Sequence, residues 1–208
     1  IIFQGVIGWY MVKSGLINDI TVSHYRLSIH LSTAVIIISS IFWLLMNVTT
    51  NKNKAFFLLS NNNLPFIILI SLIFAQIIMG AFVSGLDAGK IYQTWPLMGN
   101  TYFPNDFIII NLVNMLNFDN HSLVQFYHRN LAYIIVIYIF FLSFHIYKNK
   151  LTSLYVPLKF VLLFLFIQAI LGILTLISDL NIYLASAHQI TSVLLIFSAI
   201  YLYYLRAK

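Results

Sequence analysis

Cysteine is absent from these 208 residues and so is glutamate; the five acidic residues are all aspartate. Without cysteine there are no disulfides, no thiolate metal sites and no covalent haem attachment of the c type. Charge of either sign is scarce, at 8% of the chain against 61% hydrophobic residues, and no soluble domain of this length could bury so much apolar surface. The net charge of +6 does not point to nucleic acid, because the eleven basic residues are scattered and form no patch with interleaved aromatics. Their expected role is to orient the chain in a bilayer.

What is present is a series of continuous apolar runs. Several exceed the roughly 18 residues needed to cross a hydrocarbon core of about 30 Å as a helix. They do not alternate as strands would, and an open sheet edge has no partner in lipid. The expectation is an all-α, polytopic membrane helix bundle with six transmembrane segments, over residues 1–12, 27–48, 64–84, 122–147, 156–177 and 182–205. The first is too short to span alone and begins at Ile1 inside an apolar run, so it is expected to continue a longer chain.

Sorted by loop, Lys52, Lys54, Lys148, Lys150, Lys159, Arg206 and Lys208 fall on one side with no acid. All five aspartates, Asp19, Asp87, Asp106, Asp119 and Asp179, fall on the other, with Lys13, Arg26, Lys90 and Arg129. The positive-inside rule then places the first group in the cytoplasm, or in the matrix of a mitochondrion. The longest connection, 85–121, lies on the outer face and carries Trp95, Pro96, Pro104 and an apolar stretch over 107–116. It reads as a lid with a short interfacial helix, or as an inert surface loop.

A faint repeat runs through the chain. Gln4-x-x-x-Gly8 precedes His30, Gln168-x-x-x-Gly172 precedes His188, and a similar Gln76-x-x-x-Gly80 lies between them. Each alone reads as small-residue helix packing. Their recurrence before a histidine suggests four-helix units, one incomplete over 1–63 and one complete over 64–208.

Of six histidines, His30, His128 and His188 lie roughly 6 to 14 Å below the outer boundary at about 1.5 Å per residue, one on each of three co-directional helices. An ionisable residue inside a membrane helix is a functional candidate, against the plainer reading of a hydrogen-bonded packing residue. Imidazoles at matched depth suit a metal, each offering one nitrogen while the other donates a hydrogen bond. With no cysteine and no carboxylate in the spans, structural zinc and a di-iron carboxylate centre are poorly supported, and haem iron is the best guest. Arg129 and Arg26 are candidates for the propionates, with an interfacial anchor as the plainer role of Arg26. His24 and His121 at the aqueous boundary, and His145 near the inner end, are expected not to be ligands.

At this point the residues resemble a known family. Gly8-Trp9-Tyr10-Met11-Val12-Lys13-Ser14-Gly15-Leu16 and Tyr25-Arg26-Leu27-Ser28-Ile29-His30-Leu31 are similar to the third and fourth helices of haem A synthases of the cysteine-free mitochondrial and alphaproteobacterial type. Gly80-Ala81-Phe82-Val83-Ser84-Gly85-Leu86-Asp87-Ala88-Gly89 and Trp95-Pro96-Leu97-Met98-Gly99 are similar to the fifth helix and its loop. Gln125-Phe126-Tyr127-His128-Arg129 and Ala187-His188-Gln189 are similar to the sixth and eighth.

The resemblance implies an oxidoreductase of two four-helix halves in the bacterial cytoplasmic or mitochondrial inner membrane, with its histidines toward the outer face. His128 and His188 would ligate a cofactor haem b, and His30 would be an axial ligand facing the substrate haem o. The family oxidises a methyl substituent of haem o to a formyl group, giving haem a for cytochrome oxidase assembly. Haem O synthase, an electron-transfer partner and a second copy of the chain are the partners this implies. The family's first two helices, with a partner histidine and a glutamate, have no counterpart here, and this segment alone is not expected to complete the reaction. His24 stands where the family is expected to have proline. The alternatives from other classes are a b-type cytochrome membrane subunit relaying electrons between quinone and a partner, and a transporter carrying protons on histidine.

Overall fold

The computed structural model describes residues 1–15, 21–57, 59–106 and 112–207. It is helical throughout, and the single extended pairing among the described residues is an isolated bridge between Met98 and Thr101. The helices are α1 (Ile2–Val12), α2 (His24–Thr50), α3 (Leu64–Gly85), α4 (Leu112–Met115), α5 (His121–Lys148), α6 (Tyr155–Ile177) and α7 (Ile182–Arg206). Five of these, α2, α3, α5, α6 and α7, are long and apolar enough to cross a bilayer. At about 1.5 Å per residue, the eleven residues of α1 reach about half that distance. The short α4 falls within the apolar stretch expected to lie at the interface; residues 107–111 of that stretch, and Asp19, lie outside the described residues.

Local chemistry sets the ends. Asn120 caps α5 by accepting from the Leu123 amide at 2.9 Å, and Asn181 caps α7 by accepting from Tyr183 and Leu184. Pro65 opens α3, where a missing amide proton costs nothing. Asn51 stops α2 in the left-handed region at φ 51°.

Among the helix contacts, α1 pairs with α2, α3 with α5, and α6 with α7. Further contacts of α3 with α7 and of α5 with α6 close α3, α5, α6 and α7 into a ring, while α2 lies against α3 and α7. A close crossing lies at the aspartate-bearing end of the bundle, taken as outer from the charge pattern, where a Cβ on Gly85 would stand 2.7 Å from His24 Cβ and 2.8 Å from its Cα. Only glycine lets the backbones come so near.

The dry core occupies the opposite, lysine-bearing half, taken as inner. It contains Trp43 and Met46 of α2, Phe66 to Ile77 of α3, Ile135 to Ile146 of α5, Leu158 and Val161 of α6, and Leu195 to Tyr204 of α7. At its floor the Trp43 ring packs on Tyr203, Tyr204 and Phe56, and its indole N–H donates to the Lys54 carbonyl at 2.9 Å. The Lys54 ammonium caps the end of α7, donating to the carbonyls of Tyr204 (2.8 Å) and Ala207. Toward the outer face this packing thins: α6 has no buried residue after Val161 and α5 has none between Gln125 and Ile135, while α3 still buries Ile77 and Ala81.

Candidate functional site

His30, His128 and His188 all lie in that outer half. They stand six residues into α2, seven into α5 and six into α7, counted from His24, His121 and Ile182. At about 1.5 Å per residue, that puts them at a common depth of roughly 10 Å within their helices.

Each ring sits in the same seat on the partner helix of its pair. Glutamine and glycine four residues apart share one helix face, so the side-chain amide and the notch left by the missing Cβ both meet the neighbouring helix. A Cβ on Gly8 would lie 3.0 Å from His30 Cε1, one on Gly80 3.3 Å from His128 Cε1, and one on Gly172 2.9 Å from His188 Cε1. The amide one turn away meets the ring nitrogens. Gln4 Nε2 lies 3.2 Å from His30 Nδ1, Gln76 Nε2 is 3.2 and 3.3 Å from Nδ1 and Nε2 of His128, and Gln168 Nε2 is 3.2 Å from His188 Nε2. Gln4 and Gln76 also donate to the backbone carbonyls of His30 (2.9 Å) and His128 (3.0 Å).

The Gln-x-x-x-Gly pattern, which read as packing in the sequence, is therefore a threefold histidine seat. His128 and His188 stand on α5 and α7, two members of the ring of four helices. All three histidines are half-buried. His145 is exposed and bonds to Asn149 near the inner end of α5, His121 is exposed, and His24 lies 3.2 Å from Asp119 with its ring 4.1 Å from that of Tyr25. Sequence reading missed the His24 to Asp119 link, which ties α2 to the turn before α5. A polar cleft of about 360 Å³ on the outer surface is lined by Asp106, Asp119 and His121 among others, and by none of the three seated histidines.

The arginines are engaged with the chain itself. Arg129 donates to the carbonyls of Tyr92 (2.8 Å), Thr94 (2.8 Å) and Leu97 (3.3 Å), while its buried Nε has no partner among the described residues. Arg26 donates to the Tyr10 carbonyl at 2.9 Å and lies 3.9 Å over the Tyr10 ring, so it closes the end of α1. Arg129 thus fastens the outer loop to α5, with help from Gln125, which donates to the Tyr92 carbonyl at 2.8 Å. Gln93 joins the same loop to Asp179 at 2.6 Å, in the turn between α6 and α7. Asp106 accepts from Ser122 (2.6 Å) and Tyr92 (2.7 Å). Desolvation of its carboxyl works against ionisation, but these two hydrogen bonds outweigh it and hold the group below its usual pKa.

The donor set is purely imidazole. Among the described residues, no group of three histidines and carboxylates could hold a bare metal ion. Two imidazoles from different helices instead suit a metal that brings its own equatorial ligands. Glycine notches beside both rings, and the lack of buried positions on α5 and α6 at their level, fit a flat apolar macrocycle.

The sequence profile of the COX15-CtaA family, described as cytochrome oxidase assembly protein, matches residues 1–200. The chain is 45% identical over 198 residues to the haem A synthase of Pelagibacter ubique (strain HTCC1062), covering 94% of this chain and 56% of that protein. It is 38% identical over 209 residues to the haem A synthase of Wolbachia from Brugia malayi, covering 100% and 61%. It is 40% identical over 207 residues to that of Wolbachia pipientis wMel, covering 99% and 57%. The chain spans about three fifths of the length of the curated relatives it matches.

Proposed function

We propose, because the chain belongs to the cytochrome oxidase assembly protein family, that it forms part of a haem A synthase, the oxidoreductase that converts a methyl substituent of haem o to the formyl group of haem a. The observation that carries this reading is the repeated seat: three histidines at one depth, each held by a glutamine and a glycine of the adjacent helix. Residues 64–208 form the unit for a cofactor haem b, with His128 and His188 as its axial ligands. Residues 1–63 contribute His30 to the substrate haem.

Bound haem b would supply one-electron chemistry there, drawing electrons from the substrate. The chain's own residues do the rest. The helix pairs hold the imidazoles at one level, so their rings can face a common macrocycle. Two Nη atoms of Arg129 anchor the loop over α5, and its remaining Nε–H is the donor left for a propionate. The outer loop, tied to α5 and to the α6–α7 turn, acts as a lid that keeps water from the site. Arg26 serves the α1–α2 pair in the same way. The cationic ends face the cytoplasm or matrix, which puts the seats toward the outer face.

The test is spectroscopic and chemical. Full-length protein purified in detergent should show a low-spin b-type spectrum, and extraction of its haems should yield haem a or its alcohol precursor. A purified protein with no Soret band would overturn the haem reading, and one returning only unmodified haem would overturn the synthase.

A further inference from the structure

The hydrogen bonds at His188 determine which of its nitrogens carries the proton. Nδ1 lies 3.1 Å from the Gln168 backbone carbonyl, which can only accept, so Nδ1 bears the hydrogen. In a neutral ring Nε2 then holds the lone pair, and the Gln168 side-chain amide 3.2 Å away donates to it. One residue thus grips both ring nitrogens, its carbonyl on one and its amide on the other.

At His128 the amide orientation follows from a different neighbour. Gln76 Nε2 lies 3.0 Å from the His128 carbonyl, so the amide nitrogen, not the oxygen, faces the ring. Among the described residues the amide oxygens of Gln76 and Gln168 are buried without a hydrogen-bond partner, so there neither glutamine is held by a polar contact of its oxygen. Gln4 differs: its Oε1 accepts from Thr33 at 2.6 Å, which fixes its amide on His30 more firmly.

We propose that Gln76 and Gln168 are positioning residues whose amides occupy the imidazole lone pairs and are displaced when haem iron takes them. The exchange breaks an N–H···N hydrogen bond and forms an iron–nitrogen bond; the proton stays on the amide and no electron moves. The Gln168 carbonyl keeps its bond to Nδ1–H, so the ring's aim is preserved and its basicity toward iron is supported from behind. The proposal rests on the haem reading for His128 and His188. A merely structural glutamine would favour the bound and unbound forms equally.

The experiment compares full-length wild type with Gln168→Met and Gln76→Met, which keep side-chain length but remove the donor. Two readouts are taken: haem affinity by titration of haem b into haem-depleted protein, and nitrogen chemical shifts of 15N-histidine in the same depleted protein. The proposal expects the methionine variants to bind haem more tightly, by roughly three- to tenfold for loss of one competing hydrogen bond. It expects the wild-type His188 signal to be the Nδ1–H tautomer, with an Nε2 shift that moves in Gln168→Met. Unchanged or weakened haem affinity with normal folding would overturn the displacement. An Nε2–H tautomer, or an Nε2 shift indifferent to Gln168→Met, would overturn the grip itself. Failure of the wild type to take up haem would instead sink the haem reading and the exchange with it, while the nitrogen spectra still decide on the grip.

Discussion

Gly172 lies so close beneath His188 that a methyl group built on it would stand 2.9 Å from the ring's Cε1. The clashing atom is the far end of a side chain, so the imidazole, and not the helix pair, should give way. Gly172→Ala should lower the haem-to-protein ratio sharply while the helical signal in circular dichroism is unchanged. Gly80→Ala, with 3.3 Å to the His128 ring, should lower it less. A haemochrome assay on both variants measures the ratio, and equal haem content in all three proteins would refute the seat.

His128→Ala and His188→Ala should each abolish the low-spin b-type spectrum, whereas His145→Ala should leave it intact. His145 is exposed at the inner end of α5 and bonds to neighbouring Asn149. Retention of normal haem by both former variants would end the ligand assignment.

The helix crossing at Gly85 is a different matter, since the atoms a side chain would strike include the Cα of His24. Gly85→Ala should cost about 1–3 kcal/mol by overpacking, visible as a lower Tm in detergent. Gly5→Ala is the control: nothing lies within 4 Å of a Cβ there, and its effect should be near zero or stabilising.

Acid should loosen the outer loop through Asp106. Its folded-state pKa is depressed below the ordinary 3.8 by the bonds from Ser122 and Tyr92, which overcome its desolvation. A depressed carboxylate contributes stability that is fully present above the unfolded value and is lost as pH falls through the folded one. Hydrogen exchange in residues 86–106 should therefore be flat from pH 7 to about 4 after correction for intrinsic rates, and rise below it. Asp106→Asn should remove that step.

Orientation can be read directly because the chain has no cysteine of its own. Asn53→Cys in the lysine-bearing loop should be labelled only from the cytoplasmic or matrix side. Asn100→Cys in the aspartate-bearing loop should react only from the other. The reverse pattern would turn the histidine seats to the inner face.

The helices were legible because each is a continuous apolar run, and their observed ends lie within three residues of those expected. The histidines were legible by depth. Their partners were not: Gln76 meets His128 across 52 residues of sequence, and a pattern of amide and small residue one turn apart looks the same whether it packs a helix or seats a ring. Three recurrences ahead of a histidine were the signal that could have found it. The inner position of the core was equally hidden, because lipid-facing and core-facing side chains are alike apolar in a membrane protein, and hydropathy does not tell them apart. Trp43 and Phe141 illustrate this: one is 3% exposed and the other 64%.

That core makes the long helices behave like posts set in a solid base and laced at the top. Below, Trp43, Tyr203 and Tyr204 interlock; above, Arg129, Gln93 and the contact between Gly85 and His24 tie the ends together. A greasy guest travelling within the bilayer would then enter sideways between base and lacing, at the level of the seats, never having to leave the membrane for water.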